Sequence, residues 1–362
     1  MAELLYAAVA LALDGDPLID EMAVAKDLAL LGLPPEASAA GFAVVEHKLA
    51  ISRAAVGQLW AAGLQELREL RRGCVDASTP EGRRRVHHAT RAILLANTDH
   101  YTAWNARKRH LLAPGWLAPE DELRLVDLLL AKHPKSGEAW SHRRWVLARP
   151  ALGSNPGGVA AAVTHELAVC ASAARAYPKN YFAWTHRYWA LSRLAPPELA
   201  AVECDTMRQW AAINTSDHAG LHYRGSAVLL AAARAVQREL LLPDPSDSAG
   251  PAACWSSDSD SDSAGEAIWQ QAWEQSNELQ GRYPGHESMW RHRRLLAWMA
   301  HALGSAAVSL QGELEYGAAR QQLAKGNAVD DSIAEREQRQ WSSEELCATQ
   351  YLRWAQMALK PP

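Results

Sequence analysis

Histidine beside arginine recurs along the 362-residue chain, as His142-Arg143-Arg144, His186-Arg187 and His292-Arg293-Arg294. Imidazoles ligate zinc and guanidiniums hold phosphate, so these clusters raise two chemistries. Metal ligation is the weaker of them. His142 and His186 stand 44 residues apart, and no cysteine or acidic residue lies near either at the spacing of a zinc site. Phosphate or diphosphate contact by some of the basic residues fits better, because helix N-termini and Lys or Arg side chains together favour anions.

The elements that must position these residues come from a repeat. Five times a tryptophan, once replaced by leucine, is followed three residues later by an arginine. The anchors are Trp104, Trp140, Trp184, Leu221 and Trp290, with Arg107, Arg143, Arg187, Arg224 and Arg293 in register. Positions i and i+3 share a helix face, so each arginine is placed to stack on an indole or to donate to carbonyls at a neighbouring helix end. The plain reading of all five pairs is packing between stacked units.

The anchor spacings are 36, 44, 37 and 69 residues. The last is stretched by about 243–265, a Ser/Asp/Pro/Gly-rich segment with few apolar side chains and the composition of a disordered insertion. Within it, Ser256–Ser263 is an acidic serine run suited to phosphorylation. Helix-period stretches at 86–97, 121–133, 164–177, 197–214 and 266–280 precede the anchors, and each ends at a break. Ser136, Asn180 and Asp217 stand four residues before their anchors as N-caps, and Asp99 one residue further off. No stretch carries a strand signal. The pattern predicts an all-α fold, an α-α superhelix (solenoid) of helical-hairpin repeats forming a TPR-like crescent.

Three regions follow: a helical N-terminal region over 1–85, five repeats over 86–300, and a variable segment with a C-terminal capping helix over 301–362. Residues 304–340 are weakly patterned and are expected to leave room for a second loop. A net charge of −4 gives no global pull toward nucleic acid or anionic lipid, and RNA reading would need a basic concave face. The five cysteines are widely spaced with no CxxC pair, as in a reducing compartment. The apolar run from Leu4 to Leu13 is too short to span a bilayer and lacks a basic start. A cytoplasmic protein without stable membrane insertion is expected, and the ending ALKPP does not mark it for prenylation.

The anchor segments resemble the repeats of protein prenyltransferase α subunits, with KxxxAWxHRxW present twice. The segments HPKSGEAWSHRRWVL, SDHAGLHYR and YPGHESMWRHRR are similar to one branch of that family. PLIDEMA, VVEHKLA and YLRWAQMAL extend the similarity over nearly the whole chain. The resemblance implies a heterodimer in which this chain carries no zinc and needs no cofactor of its own. A β subunit, of the Rab geranylgeranyltransferase type, would hold zinc and the isoprenoid pocket and transfer a geranylgeranyl group to a protein cysteine. It also implies that Lys135, five residues before the second anchor, contacts the diphosphate. Lys179 holds the same place in the third repeat, and Tyr181 and Phe182 follow where the family lines the substrate site. Gly137 departs from the pattern, replacing a tyrosine at the rim. The paired-helix layout is equally that of a protein-interaction scaffold with no role in prenylation.

Overall fold

The computed structural model describes residues 2–113, 115–149, 156–235, 262–302, 305, 308–328 and 335–359. Most of the Ser/Asp-rich segment expected to be disordered, 243–261, lies outside them, as does most of the acidic serine run. The chain divides into two compact units, Met1–His186 and Arg187–Pro362.

The first unit opens with helix α1 (Ala2–Gly15), strand β1 (Glu21–Ala25), a 3-10 turn (Leu28–Leu31), α2 (Pro35–Ala40) and the strands β2 (Phe42–Val45) and β3 (Lys48–Ser52). Then follow α3 (Arg53–Arg71), α4 (Pro80–Ala96), α5 (Tyr101–Arg107), a π-helical turn (Lys108–Leu112), α6 (Pro119–Lys132), α7 (Gly137–Leu147) and α8 (Pro156–Ala176). The division falls inside α9 (Tyr181–Arg193). The second unit continues with α10 (Pro197–Ile213), α11 (His218–Ala235), α12 (Asp262–Arg282), α13 (Glu287–Ala302), α14 (Leu310–Ala328) and α15 (Glu335–Ala358).

The fold class is all-α, a helical-repeat solenoid. The hairpins α4/α5, α6/α7, α8/α9, α10/α11 and α12/α13 each carry an anchor on the second helix. Ser136, Asn180 and Asp217 cap these helices, accepting from Ala139 N (3.1 Å), Ala183 N (3.3 Å) and Gly220 N (3.0 Å). In the first repeat the cap is His100, whose Nδ1 accepts from Ala103 N at 3.2 Å. Asp99 instead accepts from Ser136 Oγ at 2.6 Å and ties two loops together. A further pair, α14/α15, follows the fifth anchor. Helix α14 therefore occupies 310–328, inside the stretch expected to leave room for a loop. Its apolar residues are spread around the helix, so no stripe announces it.

The expectation of no strands fails over residues 21–52. There β1 runs parallel to β3, and β2 runs antiparallel to it with Val45 opposite Lys48. Glu46 and His47 form the two-residue connection with φ of 48° and 62°, the conformation of a tight hairpin turn. Such turns are announced in a sequence by Asn or Gly, and neither is present. Asp16 fixes the His47 ring at 2.9 Å, which helps hold the second left-handed residue in place. Met22, Leu49 and Ile51 of the sheet enter the same apolar core as Leu59, Leu67, Ile93, Trp104 and Trp140.

Candidate functional site

Each anchor is buried, and three of the indoles also close a loop or join an element. Trp104 Nε1 donates to Thr98 O, and Trp140 Nε1 to Pro134 O, both at 2.9 Å. Trp290 Nε1 donates to Glu344 Oε2 of α15 at 2.9 Å. Trp104 and Trp140 thus fill the space between helices and satisfy a carbonyl of the turn that precedes their own helix.

The arginines do not meet helix-end carbonyls in the way the sequence suggests. Their main partners are buried carboxylates from the helix that follows. Arg107 Nε donates to Glu122 Oε1 at 2.8 Å and Nη1 to Thr90 Oγ1 at 2.8 Å. Arg143 grips Glu166 through Nε and Nη2 at 2.6 and 2.7 Å and Asp127 through Nη1 at 2.6 Å. Arg187 grips Glu203 at 2.6 and 2.9 Å. Arg293 grips Glu313 at 2.7 and 2.8 Å.

A second side chain completes each layer. His142 Nε2 meets Glu122 at 2.6 Å, His186 Nε2 meets Glu166 at 2.7 Å, and Tyr223 Oη donates to Glu203 at 2.7 Å. Tyr351 Oη donates to Glu313. His142 also stacks on Trp104 with centroids 4.2 Å apart. Burial alone would raise the Glu166 carboxyl, but the His186 hydrogen bond and the Arg143 charge outweigh it and hold Glu166 at about 2. Glu122 is held far below the carboxylate range against the same burial, by Arg107 and then His142. His142 and His186 are pushed down by burial, partly offset by their glutamates. His142, Arg143, His186, Arg187 and Arg293 of the His-Arg clusters are therefore tied to buried glutamates within the fold. Among the described residues, no group of three or more His, Cys, Asp or Glu side chains is gathered for a metal ion.

The fourth layer breaks the pattern. Arg224 is buried, its Nη2 is hydrogen-bonded to the Gln275 amide oxygen, and its Nη1 lies 3.1 Å from His292 Nε2. Among the described residues no carboxylate reaches it, and its Nε has no partner. Burial pushes Arg224 down to about 10. Burial, followed by the Arg224 charge, pushes His292 well below its ordinary range. A neutral His292 presents a lone pair at Nε2, which is how it accepts from a cation.

The residues singled out for diphosphate chemistry lie on the loops before α7 and α9. Lys135 is exposed, with Nζ 4.4 Å from the centroid of the Tyr177 ring. Lys179 is exposed and has φ of 60°, and Tyr181 is 66% exposed. The two loops are pinned together where Asn180 Nδ2 donates to Pro134 O at 2.7 Å. Phe182 is turned inward instead: a Cβ on Gly137 would stand 3.1 Å from its Cε1. The ring thus occupies the space next to Gly137, the position where the family pattern has a tyrosine. The loop pinning brings Lys135 and Tyr177 together and leaves Lys179 and Tyr181 exposed.

The glutamates are the residues that sequence reasoning missed. Glu122–His142, Glu166–His186 and Glu203–Tyr223 share a separation of 20 residues, a regularity that could have exposed them.

Two stacked hairpins with these paired layers match the family model described as "Protein prenyltransferase alpha subunit repeat", at residues 119–150 and 163–194. Those two segments of the chain are therefore similar to prenyltransferase alpha-subunit repeats. It is similar to protein prenyltransferase alpha subunit repeat-containing protein 1 of Danio rerio, 36% identical over 233 residues, or 59% of this chain and 54% of the relative. The Homo sapiens protein of that name is 34% identical over 241 residues, 60% of each chain. A Xenopus laevis relative, repeat-containing protein 1-B, is 33% identical over 245 residues, 59% of this chain and 55% of its own length. The matched region thus spans between 54% and 60% of these relatives. No helix among the described residues is long and apolar enough to cross a membrane.

Proposed function

We propose that this chain is the α-type, non-zinc-bearing subunit of a cytoplasmic, heterodimeric protein geranylgeranyltransferase. Its partner is a β subunit of the Rab geranylgeranyltransferase type, which holds the zinc and the isoprenoid pocket. The thiolate sulfur of an acceptor protein's cysteine attacks the first carbon of the isoprenoid. A C–S bond forms as the C–O bond breaks, and the diphosphate leaves with the electron pair. Lys135 supplies positive charge to that leaving group, and Lys179, Tyr181 and Phe182 border the substrate.

One observation carries this reading. Lys135, at the family's diphosphate position, keeps an exposed ammonium above Tyr177 and is not drawn into a buried layer, whereas all five anchor arginines are buried. The loop lysines remain available to a ligand, and the anchor arginines are committed to the fold.

Co-expression with the β subunit and transfer of labelled geranylgeranyl from its diphosphate to an acceptor protein test the reading. A stable complex with turnover is expected. Lys135→Ala should keep the complex and lower turnover about a hundredfold, the scale for removing one donor from a developing anion. Absence of both complex and transfer would sink the proposal and leave an interaction scaffold.

A further inference from the structure

A cleft of about 500 Å³ opens in the first unit between the C-terminal part of α3 and the outer face of α5 with its π-helical turn. Leu67, Leu70 and Ala106 form its apolar floor, and Arg71, Arg109 and His110 stand on its walls. Tyr101, 65% exposed, and Asn105 complete one side. No aspartate or glutamate lines it, and neither arginine has an ion-pair partner among the described residues. The carboxylates nearest in sequence to Arg71, Glu66 and Glu69, are both engaged by Arg85, at 2.9 and 2.6 Å.

This is a local excess of positive charge on a chain whose net charge is −4. Partial burial and then the Arg109 charge push His110 below its ordinary range, so the fixed charge belongs to the two guanidiniums. Such pairs with empty forks favour carboxylate or phosphate oxygens. The apolar floor decides between these, since a small phosphate would leave it uncovered. A peptide that alternates acidic and aliphatic residues satisfies both features at once.

We propose that this cleft docks an acidic segment of a protein partner. Two carboxylates of that segment meet Arg71 and Arg109, and an aliphatic side chain between them lies on Leu67, Leu70 and Ala106. Tyr101 and Asn105 flank the bound backbone. The proposal does not depend on prenyl transfer, because the chain alone binds the segment.

The test is fluorescence anisotropy of a fluorescein-labelled peptide of repeated Glu-Glu-Leu units against the full chain. Binding that weakens with added salt is expected. The double variant Arg71→Glu/Arg109→Glu should bind at least about tenfold more weakly, with circular dichroism and Tm unchanged because both side chains are exposed and unpaired. If the reversal perturbs folding, Arg71→Ala/Arg109→Ala provides the same comparison. Three results would each overturn the proposal: no binding of the acidic peptide, equal binding by the variants, or equal binding of a Lys-Lys-Leu peptide. Displacement of the peptide by an equimolar amount of inorganic pyrophosphate would overturn it too, by marking a small-anion site.

Discussion

Arg143 and Arg224 occupy the same place after their anchors, both are buried, and their surroundings differ by two carboxylates. Arg143 meets Glu166 and Asp127, with His186 sharing Glu166. Arg224 meets an amide and a neutral imidazole. The first arrangement compensates a buried cation with a buried glutamate and a partly exposed aspartate, each hydrogen-bonded by more than one group. The second weakens the cation itself, which is why Arg224 sits near 10 while Arg143 is driven above its ordinary value as its two carboxylates outweigh burial. One repeat geometry can therefore be held by two electrostatic solutions, and they should fail in different ways.

The largest difference should appear on deleting the partner. Glu166→Ala leaves His186 without its carboxylate and Arg143 with Asp127 alone, and is expected to cost about 3–5 kcal/mol. Gln275→Ala removes two amide hydrogen bonds, from Arg224 and to Arg208 O, and should cost about 1–2 kcal/mol. Urea unfolding of the full chain measures both, and equal losses would dissolve the distinction.

Acid should separate the two layers next. Glu166 sits at about 2 when folded and near its ordinary 4.5 when unfolded. Its contribution is therefore complete above about 4.5 and lost as pH falls toward 2. Tm should drop over that window, and Glu166→Gln should flatten the drop. A Glu166→Gln profile as steep as that of the parent would locate the acid sensitivity elsewhere.

Gln275→Glu tests whether the fourth layer lacks only an anion. The new carboxylate would take over an existing contact with Arg224 while losing the amide's bond to Arg208 O, now 2.9 Å. A net gain of about 1 kcal/mol is expected at neutral pH. It should fade on acidification, since the pairing depresses the folded pKa of the carboxylate. A loss at neutral pH would show a layer built around neutral partners.

The smallest effect belongs to the loops. Lys135→Ala should change stability by no more than about 0.5 kcal/mol, because its ammonium is exposed and holds no buried group. A larger loss in thermal scans would move Lys135 from the ligand side to the structural side.

The helices were legible because their signals are local. Apolar residues at three and four spacing, the breaks that end each stretch, and Ser136, Asn180 and Asp217 at N-caps all act within one turn of chain. Asp99 misled because proximity to an anchor does not show which loop its oxygen will face. The β2–β3 hairpin was hidden by Glu46 and His47, whose left-handed turn is sustained by their surroundings and not by residue type. Glu122 and Glu166 lie in helical stretches that read as ordinary, and nothing local shows that they are buried. Lys135 and its neighbours were legible only through resemblance to a family, never through spacing.

Residue order alone therefore settled the periodicity, the ends of the helices before each anchor to within two positions but their starts only to within eight, and the burial of Trp104, Trp140, Trp184, Leu221 and Trp290. These depend on side chains three or four apart on one helix, where chain geometry leaves little choice. Packing settled which charges are structural. The pairing of Arg143 with Glu166 and, among the described residues, the lack of a carboxylate at Arg224, Arg71 and Arg109 each depend on which helix stands opposite. An ion pair between residues some 20 positions apart forms only when tertiary contact removes both partners from water.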